Sequence, residues 1–384
     1  MSNRNVANGA LVEEYLAFNW RIELQGSTNV AELETELQKK SYLTDVDVCV
    51  HESVNGISST RLSSFFGKLG GSLNGLRRLE FFPGVGGHNV IPIAALCEAL
   101  RGSRKLESLY VYHLELQGDT LMFQSFASQL EQCHLLKEVC FIDCRISSNQ
   151  EGSGMAFDPV VRCLRTLKSL KVVALWADDL GVLATESLSK LCQSSSIERL
   201  MIQGFQISDS DVASMLCELE KNDNLKRLNI SCSLGNTSCQ ALAQMLQRNT
   251  KLEKLQVDID AFDNEGDLAE VARGLRHNST LNYLKLSGPD CDCDNDGVLG
   301  AFESMLESNL SLQTLSILDG TVYSSKMAFY LKLNSCGRGH IFQAGIAKRD
   351  PWLDALLKSE GDIDCLFYFL SLTDRVSLVN FGIK

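Results

Sequence analysis

A repeated hydrophobic pattern is the feature that most constrains how this chain folds. The six-residue pattern L-x-x-L-x-L, with conservative replacements, recurs at steps between 27 residues (Leu225 to Leu252) and 34 residues (Leu136 to Leu170). Its copies open at Leu76, Leu106, Leu136, Leu170, Ile197, Leu225, Leu252, Leu281 and Leu312, with a weaker copy at Leu43. A period this regular is typical of repeat proteins, in which each copy forms one structural unit.

Apolar residues with helical spacing lie between the copies of the pattern. Residues three and four apart share one face of a helix, whereas alternate residues share one face of a strand. Each repeat is therefore predicted to be a short strand, a loop and an amphipathic helix, and the copies must stack to bury their apolar sides. Three of the helical stripes are Phe123, Phe126, Ala127 and Leu130; Val212, Met215, Leu216 and Leu219; and Leu268, Val271, Ala272 and Leu275.

The repeats resemble the ribonuclease-inhibitor-like class of leucine-rich-repeat proteins over roughly residues 43–333. This resemblance implies an α/β solenoid, a horseshoe with parallel strands on the concave face and helices on the convex face. The class usually has Asn or Cys nine positions into each repeat, and here only Cys144 fits. We therefore expect irregular turns after the strands.

Three segments are predicted: an N-terminal cap over residues 1–42, about ten repeats over residues 43–333, and a C-terminal helical cap over residues 334–384. The stretches FYLKLNSCGRGH and DCLFYFL resemble the C-terminal cap of a set of algal leucine-rich-repeat proteins, a resemblance that implies nothing about chemistry. The apolar run DIDCLFYFLSL is interpreted as part of this lid, with a binding tail as the alternative.

Asparagine recurs three residues before a strand pattern, at Asn222, Asn249, Asn278 and Asn309. Because Asn tolerates the left-handed conformation that ends a helix, we interpret these residues as helix C-caps. Cysteines occupy positions where a small apolar residue is expected in a helix, and we expect buried, inert thiols there. Examples are Cys97, Cys163, Cys192 and Cys217.

Charge and composition exclude several classes of function. The formal net charge of −12 argues against binding to nucleic acid or anionic membranes, because both need clustered Lys and Arg. Glu13 and Glu14 interrupt the apolar stretch near the N-terminus, so no secretory signal is expected. The 14 cysteines then indicate a reducing compartment. We expect a cytoplasmic protein, with the nucleus as an open alternative.

One loop has the spacing of a calcium site. In DCDNDGVLGAFE, the residues Asp292, Asp294 and Asp296 take positions 1, 3 and 5 of an EF-hand loop, and Glu303 takes position 12. The preceding segment is the repeat strand LNYLKL rather than a helix. The alternative is an acidic loop whose carboxylates favour the N-terminus of the following helix. No cofactor other than this calcium ion is predicted.

The predicted concave face offers candidate contacts for a partner. By alternation, the third, fifth and seventh residues of each strand pattern point to this face. An apolar and aromatic stripe is predicted at Phe82, Tyr110, Tyr112, Ile142, Trp176 and Met201. A basic column is predicted at Arg199, Arg227, Lys254 and Lys285. Contiguous apolar surface of this kind usually marks an interface. The alternatives are loops folded over the stripe, residues packed only on one another, and solvated charges.

The resulting hypothesis is a non-catalytic scaffold or adaptor that binds a protein of unknown identity, with an apolar anchor near Trp176 and an acidic element near Arg227. No enzyme is expected, because H-E-x-x-H, G-x-S-x-G and Walker motifs are missing from the sequence. A calcium-responsive adaptor is one alternative. Another is a small-GTPase regulator, since Ran GTPase-activating protein shares this repeat class and supplies a catalytic arginine in trans. Its arginine motif matches no stretch here, and its acidic tail is missing.

Overall fold

The computed structural model describes residues 19–24, 30–40, 43–50, 59–72, 75–84, 89–147, 153–176, 185–204, 207–262, 267–288, 296–317, 324–344 and 349–380. These residues form the predicted α/β solenoid of strand–loop–helix repeats. The chain divides into two units, Met1–Ile207 (unit 1) and Ser208–Lys384 (unit 2).

The strands of the repeats begin two residues after the opening of each sequence pattern, so that Leu106, for example, precedes a strand that starts at Ser108. The described strands of unit 1 are β1 (Asn19–Leu24), β2 (Asp45–Val50), β3 (Arg78–Pro83), β4 (Asn89–Pro92), β5 (Ser108–Tyr112), β6 (Leu114–Gln117), β7 (Glu138–Ile142), β8 (Arg145–Ser147), β9 (Val172–Trp176) and β10 (Arg199–Gln203). Those of unit 2 are β11 (Arg227–Leu234), β12 (Lys254–Phe262), β13 (Tyr283–Ser287) and β14 (Thr314–Ile317).

Helices follow the strands, and those of successive repeats pack side by side within each unit. The described helices of unit 1 are α1 (Val30–Lys39), α2 (Ser59–Ser72), α3 (Ile93–Leu100), α4 (Thr120–Gln132), α5 (Ser153–Thr166) and α6 (Thr185–Cys192). Those of unit 2 are α7 (Asp209–Leu219), α8 (Asn236–Arg248), α9 (Leu268–Leu275), α10 (Asp296–Ser308), α11 (Ser325–Ser335), α12 (Arg338–Ala344), α13 (Arg349–Lys358) and α14 (Ile363–Asn380). The predicted apolar stripes of α4, α7 and α9 are all buried.

The strands pair in parallel within each unit. In unit 1 the order is β1-β2-β3-β5-β7-β9-β10, and in unit 2 it is β11-β12-β13-β14. Strand β1 lies inside the segment predicted as an N-terminal cap and pairs with β2 from Asn19 opposite Asp45 to Leu24 opposite Val50. That segment therefore adds a strand to the sheet.

Unit 1 contains a second small parallel sheet, in the order β4-β6-β8, which the sequence pattern did not predict. It forms because the chain turns sharply after β5 and β7. His113 and Asp143 have φ of 49° and 52° there, and they are the non-glycine residues with positive φ in the described part of the chain. Cys144 follows this turn and is fully buried, and its thiol donates to the carbonyl oxygen of Val111 at 3.3 Å. Irregular turns were expected after the strands, but the segments that follow β5 and β7 are regular enough to pair as the strands β6 and β8.

The four asparagines of unit 2 form a buried ladder; Asn249 takes the predicted C-cap position of α8, but the left-handed conformation predicted for these asparagines is wrong. Asn249 has φ −71° and ψ 127°, which is extended backbone. Its side-chain oxygen accepts from the backbone N–H groups of Lys251 and Leu252, both at 2.8 Å. Its side-chain nitrogen donates to the carbonyl oxygens of Leu219 and Asn222 in the preceding repeat, at 2.7 and 3.1 Å.

Asn278 and Asn309 make the same four kinds of hydrogen bond one and two repeats later. We call this series, which starts at Asn222, the asparagine ladder. Because the amides of Asn249, Asn278 and Asn309 each span two repeats, they satisfy backbone groups that the stacking would otherwise bury without partners. Asn278 and Asn309 also head N-x-S/T sequons, but the nitrogen that would carry a glycan is buried and donates to two carbonyls.

The ladder ends in the C-terminal helices. Asn334 donates to the carbonyl oxygens of Asn309 and Leu312 at 3.0 and 2.8 Å, but its own side-chain oxygen is buried without a hydrogen-bond partner. The guanidinium of Arg338 is buried as well and donates to the carbonyl oxygens of Leu306 and Asn309 at 2.8 and 2.6 Å. Arg338 is thus the last side chain that bonds these repeat carbonyls in the described part of the chain.

Helices α11 to α14 have a hydrophobic core of their own, built on Leu333, Cys336, Ile341, Trp352, Ala355, Cys365 and Phe369. We call these four helices the C-terminal helices. Their resemblance to an algal cap stays a prediction. No described helix is both long enough and apolar enough to cross a bilayer.

Most cysteines behave as predicted. Cys97, Cys163 and Cys192 are buried, and burial raises the pKa of the Cys163 thiol to about 12. Cys217 is the exception among the twelve cysteines that the structure describes, because it is exposed on α7. It lies one position away from the buried stripe of that helix, which the spacing of small residues could not distinguish.

Candidate functional site

The face of the unit 1 sheet that points away from the helices is called the open face, and its side chains align in rows across the strands. In the parallel register, residues at the same position of each strand pattern lie directly opposite one another. Neighbouring strands are about 4.8 Å apart, so adjacent members of a row are in reach of each other. The alternating burial of β5, in which Leu109 and Val111 are buried and the residues between them are half-buried, shows which side faces the core.

The predicted apolar stripe divides into two rows. The Trp176 row contains Tyr112, Ile142, Trp176 and Gln203 in direct register, and Phe82 holds the same position of β3. The Tyr110 row contains Glu80, Tyr110, Cys140, Ala174 and Met201. The prediction of one stripe is therefore wrong for Met201, which lies opposite the buried Ala174 rather than beside Trp176.

Tyr110 is fixed by its neighbours. Its hydroxyl donates to the carboxylate of Glu138, its ring stacks on Tyr112 with centroids 6.0 Å apart and planes 5° from parallel, and the guanidinium of Arg78 lies 5.2 Å from its ring centroid. Burial, followed by the bond to Glu138, raises the pKa of the Tyr110 hydroxyl far above its ordinary range. A neutral, stacked tyrosine with few accessible rotamers presents apolar surface at low entropic cost.

Charged groups border the start of the apolar rows and pair with one another. Arg78 forms an ion pair with Glu80, and the guanidinium of Arg21 on β1 lies 4.8 Å from the ring centroid of Phe82. These contacts occupy the faces of Phe82 and Tyr110. The apolar side chains at this end of the open face are therefore engaged inside unit 1.

Trp176 differs from the rest of its row. Phe82, Tyr112 and Ile142 are half-buried, whereas Trp176 is 37% exposed. Its position beside Ile142 and Gln203 is fixed by the register of β7, β9 and β10, and its carbonyl oxygen accepts from the backbone N–H of Cys144 at 3.2 Å. The structure thus holds a partly exposed indole on a rigid strand at the end of an apolar row.

The predicted basic column is only partly formed. Arg227 and Lys254 lie directly opposite each other on β11 and β12, and the ammonium of Lys254 lies 5.8 Å from the ring centroid of Tyr283. Tyr283 takes the corresponding position of β13, so Lys285 falls two residues further along, opposite Gln256. Arg199 is exposed and belongs to unit 1, opposite Val172. In unit 2 the predicted column is therefore reduced to two neighbouring basic residues, Arg227 and Lys254, and Lys285 lies in the next row.

Comparison with known proteins agrees with this architecture. The chain is 27% identical to the ribonuclease inhibitor of Sus scrofa over 260 residues, which cover 60% of this chain and 56% of that protein. It is 27% identical to the ribonuclease inhibitor of Mus musculus over 232 residues, which cover 59% of this chain and 48% of that protein. The leucine-rich repeats of this chain are similar to those of ribonuclease inhibitors. It spans about half the length of the curated relatives that it matches.

No protein-family model matches the ribonuclease-inhibitor-like chain. Among solved structures, a leucine-rich-repeat protein of Leptospira interrogans is similar with a TM-score of 0.33 and 12% identity, and the match covers 86% of this chain and 92% of that one. Internalin C2 of Listeria monocytogenes is similar with a TM-score of 0.35 and 14% identity, and the match covers 74% of this chain and 91% of that one.

The predicted calcium loop of this leucine-rich-repeat protein lies only partly within the described residues. Asp292 and Asp294 lie outside them. Asp296 is the first residue of α10, and Glu303 lies two turns into that helix, where its carboxylate accepts from Ser324 at 2.5 Å and lies 3.2 Å from the ammonium of Lys326. The described part of the loop, residues 296–303, is therefore helical, and Glu303 is already hydrogen-bonded. Calcium binding stays a prediction.

Sequence reasoning missed several contacts of the leucine-rich-repeat open face. The cation over Phe82 comes from Arg21, which was assigned to a cap rather than to a strand. The Tyr110–Glu138 bond and the Arg78–Glu80 pair follow from the strand register, since Glu138 lies opposite Ser108 and Ser108 opposite Arg78. A register drawn from the repeat openings would have brought these charged and aromatic groups together.

Proposed function

We propose that this ribonuclease-inhibitor-like chain is a non-catalytic scaffold that binds a protein partner, and that the partner inserts an apolar anchor beside Trp176 on the open face of unit 1. The exposed indole at the end of the Trp176 row is the observation that supports the proposal. Trp is the residue type most enriched among those that dominate binding energy.

The neighbours of Trp176 favour an apolar anchor. Ile142 lies directly opposite it, and Tyr112 follows in the same row, so the indole continues a half-buried apolar strip rather than standing alone. At the other end of the face Arg78 pairs with Glu80 and the Tyr110 hydroxyl is bonded to Glu138, while His113 and Asp143, which follow Tyr112 and Ile142, contact each other at 2.5 Å. A partner therefore gains most by covering the Trp176 end.

The matched relatives are named as inhibitors of ribonuclease, which is itself a protein. Since this chain spans about half of their length, a protein-binding role is proposed here on the geometry of its own open face. In unit 2, the exposed Arg227 and its neighbour Lys254 provide a second contact region, suited to acidic groups of a partner. We further propose that binding takes place in the reducing cytoplasm, with the nucleus as the alternative.

Quantitative proximity labelling in the cytoplasm tests the proposal. The native chain is compared with Trp176→Ser, and with Leu121→Ser as the control, because Leu121 is an apolar residue that is 72% exposed on helix α4, away from the open face. We expect a defined set of proteins whose recovery falls about tenfold with Trp176→Ser and is unchanged with Leu121→Ser, a loss typical of a central aromatic contact.

A second measurement uses the partner recovered in that experiment. When it is titrated into the purified chain, tryptophan emission should shift to shorter wavelength because the indole leaves water, and Trp176→Phe should remove this shift. Trp352, which is buried among the C-terminal helices, provides an internal reference that stays constant. Equal recovery of every protein by the native chain and Trp176→Ser would show that the open face of unit 1 is not the docking site.

A further inference from the structure

Helix α14 has an exposed apolar stripe that lies outside the proposed docking face. Ile363, Phe367 and Leu370 are 80%, 73% and 47% exposed, and their spacing places them on one side of the helix. The other side of α14 buries Cys365 and Phe369 in the core of the C-terminal helices. The helix is thus apolar on two faces, of which the fold covers one.

The neighbouring helix repeats this arrangement. On α13, Leu353 and Leu357 are each more than half exposed, while Trp352 and Ala355 are buried in the same core. Single exposed apolar residues are ordinary on protein surfaces, but two consecutive helices with exposed apolar residues at helical spacing are not. We call Ile363, Phe367 and Leu370 of α14 the cap stripe.

The charged residues next to Ile363 along the chain are acidic. Residues 359–372 include Glu360, Asp362 and Asp364 and contain no Lys or Arg. The Asp362 carboxylate accepts from the backbone N–H of Cys365 at 3.0 Å, and this bond, together with the nearby ammonium of Lys332, lowers its pKa. Glu360 and Asp364 are exposed on either side of Ile363. On α13, Lys358 pairs with Asp354 at 2.8 Å, which leaves no net charge between Leu353 and Leu357.

We propose that the cap stripe docks an amphipathic helix of a partner protein that carries Lys or Arg beside its apolar residues. The apolar stripe of an exposed helix can pack against the apolar stripe of a second helix, because the side chains of each helix fill the grooves between the side chains of the other. The basic groups of such a helix lie against Glu360 and Asp364, and this complementary charge selects the partner and its direction.

The same charges disfavour other occupants. An anionic lipid surface is repelled by the carboxylates beside Ile363. A second copy of the chain brings together two molecules that each have a formal net charge of −12, and this repulsion opposes their association.

Binding of designed peptides to the full chain tests the proposal by fluorescence anisotropy. Two labelled peptides match the 18 residues of α14 in length and share a leucine stripe at helical spacing. One carries Lys beside the stripe, and the other carries Glu at the same positions. We expect the Lys peptide to bind at least about tenfold more tightly than the Glu peptide, and added salt to reduce the difference.

Variants assign the binding to the cap stripe. Phe367→Ser should weaken the Lys peptide by about tenfold, whereas Leu121→Ser on α4 should leave its affinity unchanged. Glu360→Gln combined with Asp364→Asn should remove the preference between the two peptides. Because Phe367 is exposed, its replacement should leave the circular dichroism melt unchanged, which separates lost docking from lost folding.

Three results would overturn the proposal. The first is equal affinity for the Lys and Glu peptides, and the second is unchanged binding in Phe367→Ser. The third is sedimentation of the native chain as a dimer that Phe367→Ser converts to a monomer, since a second copy would then cover the stripe. None of these results bears on Trp176, so the proposed docking at the open face of unit 1 is tested separately.

Discussion

Units 1 and 2 share the strand–loop–helix repeat, but the position three residues before each strand pattern holds different side chains in the two. In unit 2 it holds the asparagine ladder, in which the amides from Asn249 onward bond both their own repeat and the preceding one. In unit 1 the same position holds Ser103, Cys133, Leu167 and Ser194. Cys133 still donates to the carbonyl oxygen of Ser103, but through sulfur and at 3.7 Å.

The hydrophobic cores of the two units also differ, and among the described residues unit 1 has more buried phenylalanines than unit 2. The described part of unit 1 buries Phe65, Phe66, Phe81, Phe123, Phe126, Phe141 and Phe157, while unit 2 buries Phe302 and Phe369. Phe141 has edge contacts with Phe126 and Phe157, at centroid distances of 6.1 and 5.2 Å. Unit 1 also has the second sheet, which satisfies backbone groups after its strands. The same strand–loop–helix repeat can therefore be stabilised by aromatic packing, as in unit 1, or by buried amide groups, as in unit 2.

The largest effect is expected from removing an aromatic core residue of unit 1. Phe141→Ala should lower the free energy of unfolding by about 3–5 kcal/mol, because it leaves a cavity among Phe126 and Phe157. Urea denaturation measures the loss, and hydrogen exchange should show it first in unit 1. Phe141→Leu is the matched control and should cost well under half as much. Equal losses for the two variants would show that the ring contacts are not what stabilises unit 1.

A smaller loss is expected from breaking the asparagine ladder. Asn309→Ala should cost about 3 kcal/mol, because the N–H groups of Ser311 and Leu312 lose their acceptor inside the protein. Hydrogen exchange should show this loss first in unit 2. Asn236→Ala, at an exposed position of α8, is the control and should change stability by no more than about 0.5 kcal/mol.

The smallest effect is expected at the equivalent position of unit 1. Cys133→Ala should cost about 1 kcal/mol, since a thiol is a weak donor and its removal leaves a small gap. The same denaturation experiment measures it beside Asn309→Ala. If the two substitutions cost the same, the units are stabilised alike at this position and the contrast between them fails.

Thiol alkylation gives an independent check on Cys133, because burial raises the pKa of its thiol to about 11. It should react only after unfolding, while the exposed Cys217 reacts in the native protein.

The sequence alone predicted the structural features that are set within one repeat, namely its strand and the buried face of its helix. Every repeat strand follows its L-x-x-L-x-L opening, and the apolar stripes of the helices are buried as their spacing indicated. Residues such as Leu109 and Phe126 repeat at intervals set by strand and helix geometry, which are local properties.

Predictions that depended on neighbouring repeats were less accurate. The asparagines were interpreted as caps within one repeat, although their amides bond to the repeat before. Met201 and Lys285 were assigned to rows that the register of adjacent strands does not form. Pairing between the turns at His113 and Asp143, which gives the second sheet, likewise appears only when two repeats are placed together.

The end of the asparagine ladder has a consequence for where the stack of repeats stops. Arg338 and Asn334 take up the carbonyl oxygen of Asn309, and the guanidinium lies 5.0 Å from the ring centroid of Tyr330. An extra repeat placed directly after residue 309 would need that same oxygen for its own amide. A further repeat and the C-terminal helices therefore compete for the same backbone oxygen, and in the described part of the chain Arg338 and Asn334 hold it.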